Sequence, residues 1–115
     1  MAKKTIVNGV EGVISNATSQ DLEFKALTPN MLVCYDRLTL VDYDHSPTSV
    51  HLGFKSGTSE FLLDGKADPG VGIPFSVLGK VFALGHYRPF ARFVGATSGD
   101  KVALFAFGYL TDVPE

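Results

Sequence analysis

Three histidines (His45, His51 and His86), a single cysteine (Cys34) and scattered aspartates are the side chains with which this chain could do chemistry. A transition-metal centre needs nitrogen and sulfur ligands at short, fixed spacings, and these four residues each stand on a separate stretch, so no metal site is expected. Asp42, Asp44 and His45 form one oxygen-rich cluster, and Asp64 with Asp68 a second. Neither follows a calcium-loop pattern, and turn carboxylates that accept bonds from nearby amides are the expectation. Cys34 lies in an apolar stretch that reads as a core strand, where a thiol is inert. The serines and threonines fall in turns, with no strand-to-helix elbow to raise a nucleophile. Glu60 with Asp64, and Asp42 with Asp44, could be imagined as acid and base, but strands and turns produce such pairs by chance. Gly70-Val71-Gly72 precedes no helix, so it offers no helix N-terminus to an anion. The chain is therefore expected to be no enzyme, with no catalytic residue and no cofactor.

The elements that would position these groups are strands. Leu22, Phe24 and Ala26 alternate with charged residues, as do Val50, Leu52 and Phe54 with Ser49, His51, Gly53 and Lys55, which is the period of a half-buried strand. Thr28-Pro29-Asn30 predicts a turn. Residues 31–43 form the longest candidate strand, with Leu32, Cys34, Leu38 and Leu40 assigned to the core face and a bulge or wet edge expected at Asp36-Arg37. Ser56-Gly57-Thr58-Ser59 would turn the strand at 50–54 into Phe61-Leu62-Leu63 as a hairpin. The stretch 64–74 holds three glycines and two prolines and reads as a surface loop, after which 75–84 resumes as strand. Residues 90–110 give the strongest hairpin signal, two apolar limbs around a polar turn. In the second limb Phe105, Phe107 and Tyr109 alternate with Leu104, Ala106 and Gly108, so both faces of that strand need cover. Helix spacing is absent throughout.

At 115 residues, with 45% hydrophobic and 19% charged residues, the composition is that of one well-packed domain. We expect an all-β antiparallel sandwich, jelly-roll or immunoglobulin-like, of seven to eight strands. Residues 1–20 are expected as an N-terminal arm or a short hairpin turning at Asn8-Gly9, and residues 21–115 as a single sandwich domain. Ten basic and twelve acidic residues give a net charge of -2, with no basic run beyond Lys3-Lys4, so nucleic acid is not an expected partner. No stretch approaches the roughly 20 apolar residues of a membrane span. One cysteine excludes an intrachain disulfide, and the N-terminal residues lack the apolar run of a signal peptide. Synthesis and folding in a cytoplasm are expected.

The pattern Arg88-Pro89-Phe90-Ala91-Arg92-Phe93-Val94-Gly95-Ala96-Thr97-Ser98-Gly99-Asp100-Lys101-Val102-Ala103-Leu104 resembles a closing hairpin of small all-β virion proteins of tailed bacteriophages. The resemblance spans a short part of the chain and carries no catalytic signature. It implies a non-enzymatic structural protein of the virion, a head decoration or cement protein or a tail or fibre component, that oligomerises and docks on the major capsid protein or other virion proteins. Under that reading the candidate interface residues are Ile6, Val7, Arg88, Arg92, Phe105, Phe107 and Tyr109. The alternative is a carbohydrate- or peptide-binding β-domain that uses the 64–74 loop and Tyr35, Tyr43 and Tyr87 as an aromatic platform. A third reading is a small jelly-roll enzyme with a metal centre.

Overall fold

A computed structural model describes residues 4–25 and 31–112 of the chain. The turn expected at Thr28-Pro29-Asn30, together with Ala26, lies outside the described residues. Eight strands form among them, and no helix: β1 (Lys4–Val13), β2 (Ser19–Glu23), β3 (Met31–Asp42), β4 (Ser49–Ser56), β5 (Ser59–Ala67), β6 (Phe75–Leu84), β7 (Arg88–Val94) and β8 (Lys101–Asp112). They make two four-stranded antiparallel sheets, one ordered β1-β8-β3-β6 and the other β2-β7-β4-β5. Only β4 and β5 are both consecutive in the chain and paired in one sheet. Every other connection crosses between the sheets, and this strand order is that of a jelly roll.

The core lies between the sheets because alternate residues of each strand point inward. Val33, Tyr35, Leu38 and Leu40 of β3 meet Val102, Leu104 and Ala106 of β8 on one side. Val50, Leu52 and Phe54 of β4 with Ala91 and Phe93 of β7 close it from the other. Each such aliphatic or aromatic side chain removed from water contributes about 1.5–3 kcal/mol. Ile14 follows β1 into the same core, and its backbone bonds hold the link between β7 and β8: its N–H donates to the Asp100 carbonyl and its own carbonyl accepts from Gly99, both at 2.8 Å.

The sandwich and the β4–β5 hairpin agree with the sequence pattern, while four local expectations are corrected. First, the strands expected as a hairpin at 90–110 do not pair. β7 lies between β2 and β4, whereas β8 lies between β1 and β3 in the opposite sheet. Residues 95–100 therefore form a crossing, which Gly95 and Gly99 shape at φ of 65° and 93°. Second, Asn8-Gly9 is not a turn but the middle of β1, paired without a break to β8. A Cβ at Gly9 would stand 2.8 Å from the Phe105 ring, so this glycine admits a neighbour and bends nothing. Third, β5 continues to Ala67 and takes in the first part of the expected 64–74 loop. Fourth, the register of β3 shifts between Tyr35 and Arg37. That irregularity flips the inward set, so Val33 and Tyr35 face the core, while Leu32 and Cys34 fall on the other side.

Candidate interaction face

Because Leu104 and Ala106 point inward, Ala103, Phe105, Phe107 and Tyr109 of β8 point outward. In register beside them stand Thr5, Val7, Gly9 and Glu11 of β1, and Cys34, Arg37, Thr39 and Val41 of β3. Leu78, Phe82 and Leu84 of β6 extend the row. The resulting face carries a band of apolar side chains interrupted by Thr5, Glu11, Arg37, Thr39 and Lys101. Val7 is 73% exposed, Leu78 66% and Phe82 58%, while the three aromatics of β8 are half-buried against one another and their neighbours. Ala103, Val41 and Cys34 are fully covered beneath them. Glu11, Asp36, Arg37 and Lys101 are charged side chains on or beside this face, Asp36 lying close enough to Tyr109 to help raise its phenol, and no ion pair joins described residues on it.

The outward face of the other sheet is built differently. Phe90 of β7 points away from the core, since Ala91 and Phe93 point into it, yet it is 0% exposed. Lys55 Nζ stands 4.7 Å from its ring centroid and the Arg92 guanidinium 5.2 Å, two cations stacked on one aromatic. Arg92 grips Asp21 with two bonds, Nε to Oδ1 at 2.8 Å and an Nη to Oδ2 at 3.0 Å, and reaches Glu60 at 2.8 Å. Lys55 bonds Asp21 and also Glu23, the latter at 3.1 Å, and Arg88 stands 3.7 Å from Glu23. Burial works against the charge of Asp21, but its bonds to Arg92 and Lys55 outweigh it and hold the carboxyl below the usual range. Hydrogen bonds to Asp21 and Glu60 raise the Arg92 pKa in turn.

The sequence-selected interface residues therefore divide between the two sheets. Val7, Phe105, Phe107 and Tyr109 share the apolar face. Ile6 is in β1 opposite Gly108. Arg88 and Arg92 belong to the ion-paired cover of the other sheet. That cover was missed in the sequence because its members come from β2, β4, β5 and β7, and only the pairing of those strands assembles them.

One polar cluster is buried at the end of the sandwich where β3 stops and β8 begins. Asp42 Oδ1 accepts from the amides of Asp44 (3.0 Å) and His45 (3.2 Å). Asp100 Oδ1 accepts from His45 Nδ1 at 2.6 Å. The remaining oxygens, Asp42 Oδ2 and Asp100 Oδ2, are buried without a hydrogen-bond partner, and the two carboxyls move each other's pKa in opposite directions, so that between their values the pair holds one proton. Burial, helped by the bond to Asp100, pushes the Asp42 carboxyl up to about 6. Burial also opposes charge on Asp100, but its bonds to Asp42 and His45 keep it below the ordinary value, and the bond to Asp100 raises His45. The cluster ties the loop after β3 to the crossing before β8.

Among the described residues no group of three or more His, Cys, Asp and Glu side chains is placed to hold a metal ion. The three tyrosines of the alternative reading do not share a surface. Tyr35 is in the core, its ring 5.3 Å from that of Phe54, and burial pushes its phenol up to about 12. Tyr43 is exposed beyond the end of β3, while Tyr87 sits with Phe54, Phe61, Val81, Phe82 and Leu84 around a groove of about 370 Å³ between the edges β5 and β6.

No family model and no curated protein matches the sequence. Among solved structures, the chain is similar to one from the endospore appendages of Bacillus, which form a novel family of disulfide-linked pili. The TM-score is 0.51 and the sequence identity 10%, over 97% of this chain and 89% of that one. At that identity, what the two chains share is the fold, an all-β sandwich running the length of both.

Proposed function

We propose that this chain is a non-enzymatic structural subunit whose copies pack into a repeating assembly outside the cell. The observation that supports it is the contrast between the two outward faces. On one sheet an outward aromatic, Phe90, is sealed from water by five charged side chains of the same chain. On the other, Val7, Leu78 and Phe82 stand open, and the described residues build no such cover. Large apolar side chains standing open on one sheet face are adhesive, and in a soluble monomer they are a liability; in an assembly they are the contact. The likeness to an appendage chain supports the same reading. Cohesion here is by packing, since the one cysteine, Cys34, is buried.

The setting follows from what the assembly needs. A filament subunit polymerises alone, whereas a head decoration protein coats a capsid lattice. Electron microscopy and light scattering of the purified chain, alone and mixed with purified phage capsids, separate the two. Ordered polymers of the chain alone support an appendage, and regular capsid decoration supports the virion role. A chain that stays monomeric at millimolar concentration and binds no capsid would sink the structural-subunit reading.

A further inference from the structure

We propose that the outward face of the β1-β8-β3-β6 sheet docks on the same face of a second copy of this chain, about a two-fold axis. This rests on the structural-subunit reading and names the partner and the contact.

The dimensions suit such a pair. Four strands spaced about 4.8 Å apart and about ten residues long, at about 3.4 Å per residue, offer about 650 Å² per copy. Two copies would bury about 1,300 Å², inside the range of stable specific interfaces. Sheets stack face to face with a gap of about 10 Å filled by interleaved side chains, and the half-buried Phe105 ring, laid over Gly9, belongs to such a layer.

Charge selects the occupant. Glu11 and Asp36 with Arg37 and Lys101 mix both signs on this face, so its described residues make no single-sign field to recruit nucleic acid, an anionic surface or a strongly charged protein. A two-fold axis pairs a surface with itself when that surface is self-complementary, and a face that mixes both charge signs with apolar relief can be so. Face-to-face pairing also leaves both ion-paired sheets in water, a four-layered unit with the charged cover of Phe90 on each outer side. An edge-to-edge contact would leave the apolar faces wet.

The test is the mass of the full chain by light scattering and sedimentation from about 1 to 500 µM, for the native sequence and for Val7→Lys, Leu78→Glu and Leu62→Glu. Val7 and Leu78 are highly exposed, so charge there leaves the fold intact, which circular dichroism checks. Leu62 is an exposed residue of edge strand β5, away from the face. Both face variants are expected to weaken association at least tenfold. Leu62→Glu is expected to keep a species of two copies, because a self-matching face closes at two. If Leu62→Glu dissolves the assembly and the face variants do not, this inference is overturned while the structural-subunit reading stands. Open chains longer than two copies in Leu62→Glu would also overturn it, since they require a head-to-tail contact. A native chain that is monomeric throughout and binds no capsid removes both.

Discussion

Asp42 and Asp100 are a carboxyl pair that holds one proton between them, and this gives the fold a pH profile. Asp42 has a folded pKa of about 6 against 3.8 for the free group, so the native state binds that proton more tightly. Its contribution is complete below pH 3.8 and is lost as pH rises through about 6. His45 acts with the same sign: its raised value makes the bond to Asp100 a contribution present below pH 6.5 and lost above the folded value. Asp100, held low, contributes above pH 3.8 and fails as pH drops below its folded value. The melting temperature should therefore peak near pH 4, fall as pH rises to about 6 through Asp42, and fall further above pH 6.5 through His45. Asp42→Asn keeps an oxygen for the amides of Asp44 and His45 and supplies an N–H to Asp100 Oδ2 at every pH. We expect it to match or exceed the native chain at about pH 7.5, by about 1 kcal/mol, and to flatten the slope; parallel melting curves for the two proteins would refute the shared proton. Across the sandwich, Arg92→Ala removes the two-bond grip on Asp21 and uncovers Phe90. A loss of about 1–3 kcal/mol in denaturant unfolding is expected, and a loss within error would mean the ion cover is ornamental.

Strand content was legible because alternation reports a half-buried surface, and seven of the eight strands coincide with alternating or β-rich runs in the sequence. Which sheet each strand joins was not legible. The link 95–100 carries the residues of a hairpin turn, Gly95, Ser98, Gly99 and Asp100, but those same residues suit a crossing, and the choice is made by partners far away. β7 is claimed by β2 and β4, β8 by β1 and β3. The phase of β3 was misread for a related reason: one extra residue at its bulge moved Cys34 to the outward face. Of the candidate interface, the outward aromatic row of β8 was readable from alternation, whereas the cover of Phe90 was not, its members being scattered from Asp21 to Arg92. The crossing has its own test. Gly95 has φ of 65°, and a Cβ there would run into the Thr48 side chain; Gly99, at φ of 93°, has open space around it. Gly95→Ala should cost about 2–3 kcal/mol, and Gly99→Ala about 1 kcal/mol from backbone strain alone. Equal losses at the two positions would show that Thr48 yields freely and that the crossing is not pinned there.

A sandwich with one hydrated face and one bare face is a polar object, and its stability should depend on how many copies surround it. Burying the bare face lowers the free energy of the folded chain only, because the unfolded chain has no face to dock, so association and folding are linked by mass action. For a pair of copies, a hundredfold rise in protein concentration adds about 2.7 kcal/mol per pair once the concentration exceeds the dissociation constant. The melting temperature should therefore climb by several degrees between micromolar and hundred-micromolar samples, a shift easily resolved for a domain of this size. Val7→Lys should abolish that climb while matching the native melting temperature in dilute solution, since Val7 adds little to the fold of one copy. Arg92→Ala should do the opposite: it lowers the melting temperature of dilute and concentrated samples alike and leaves the climb between them unchanged, because its side chain lies on the hydrated sheet. A climb with concentration that Val7→Lys leaves unchanged would mean that the contact is made without the bare face and that the contrast between the two sheets has another cause.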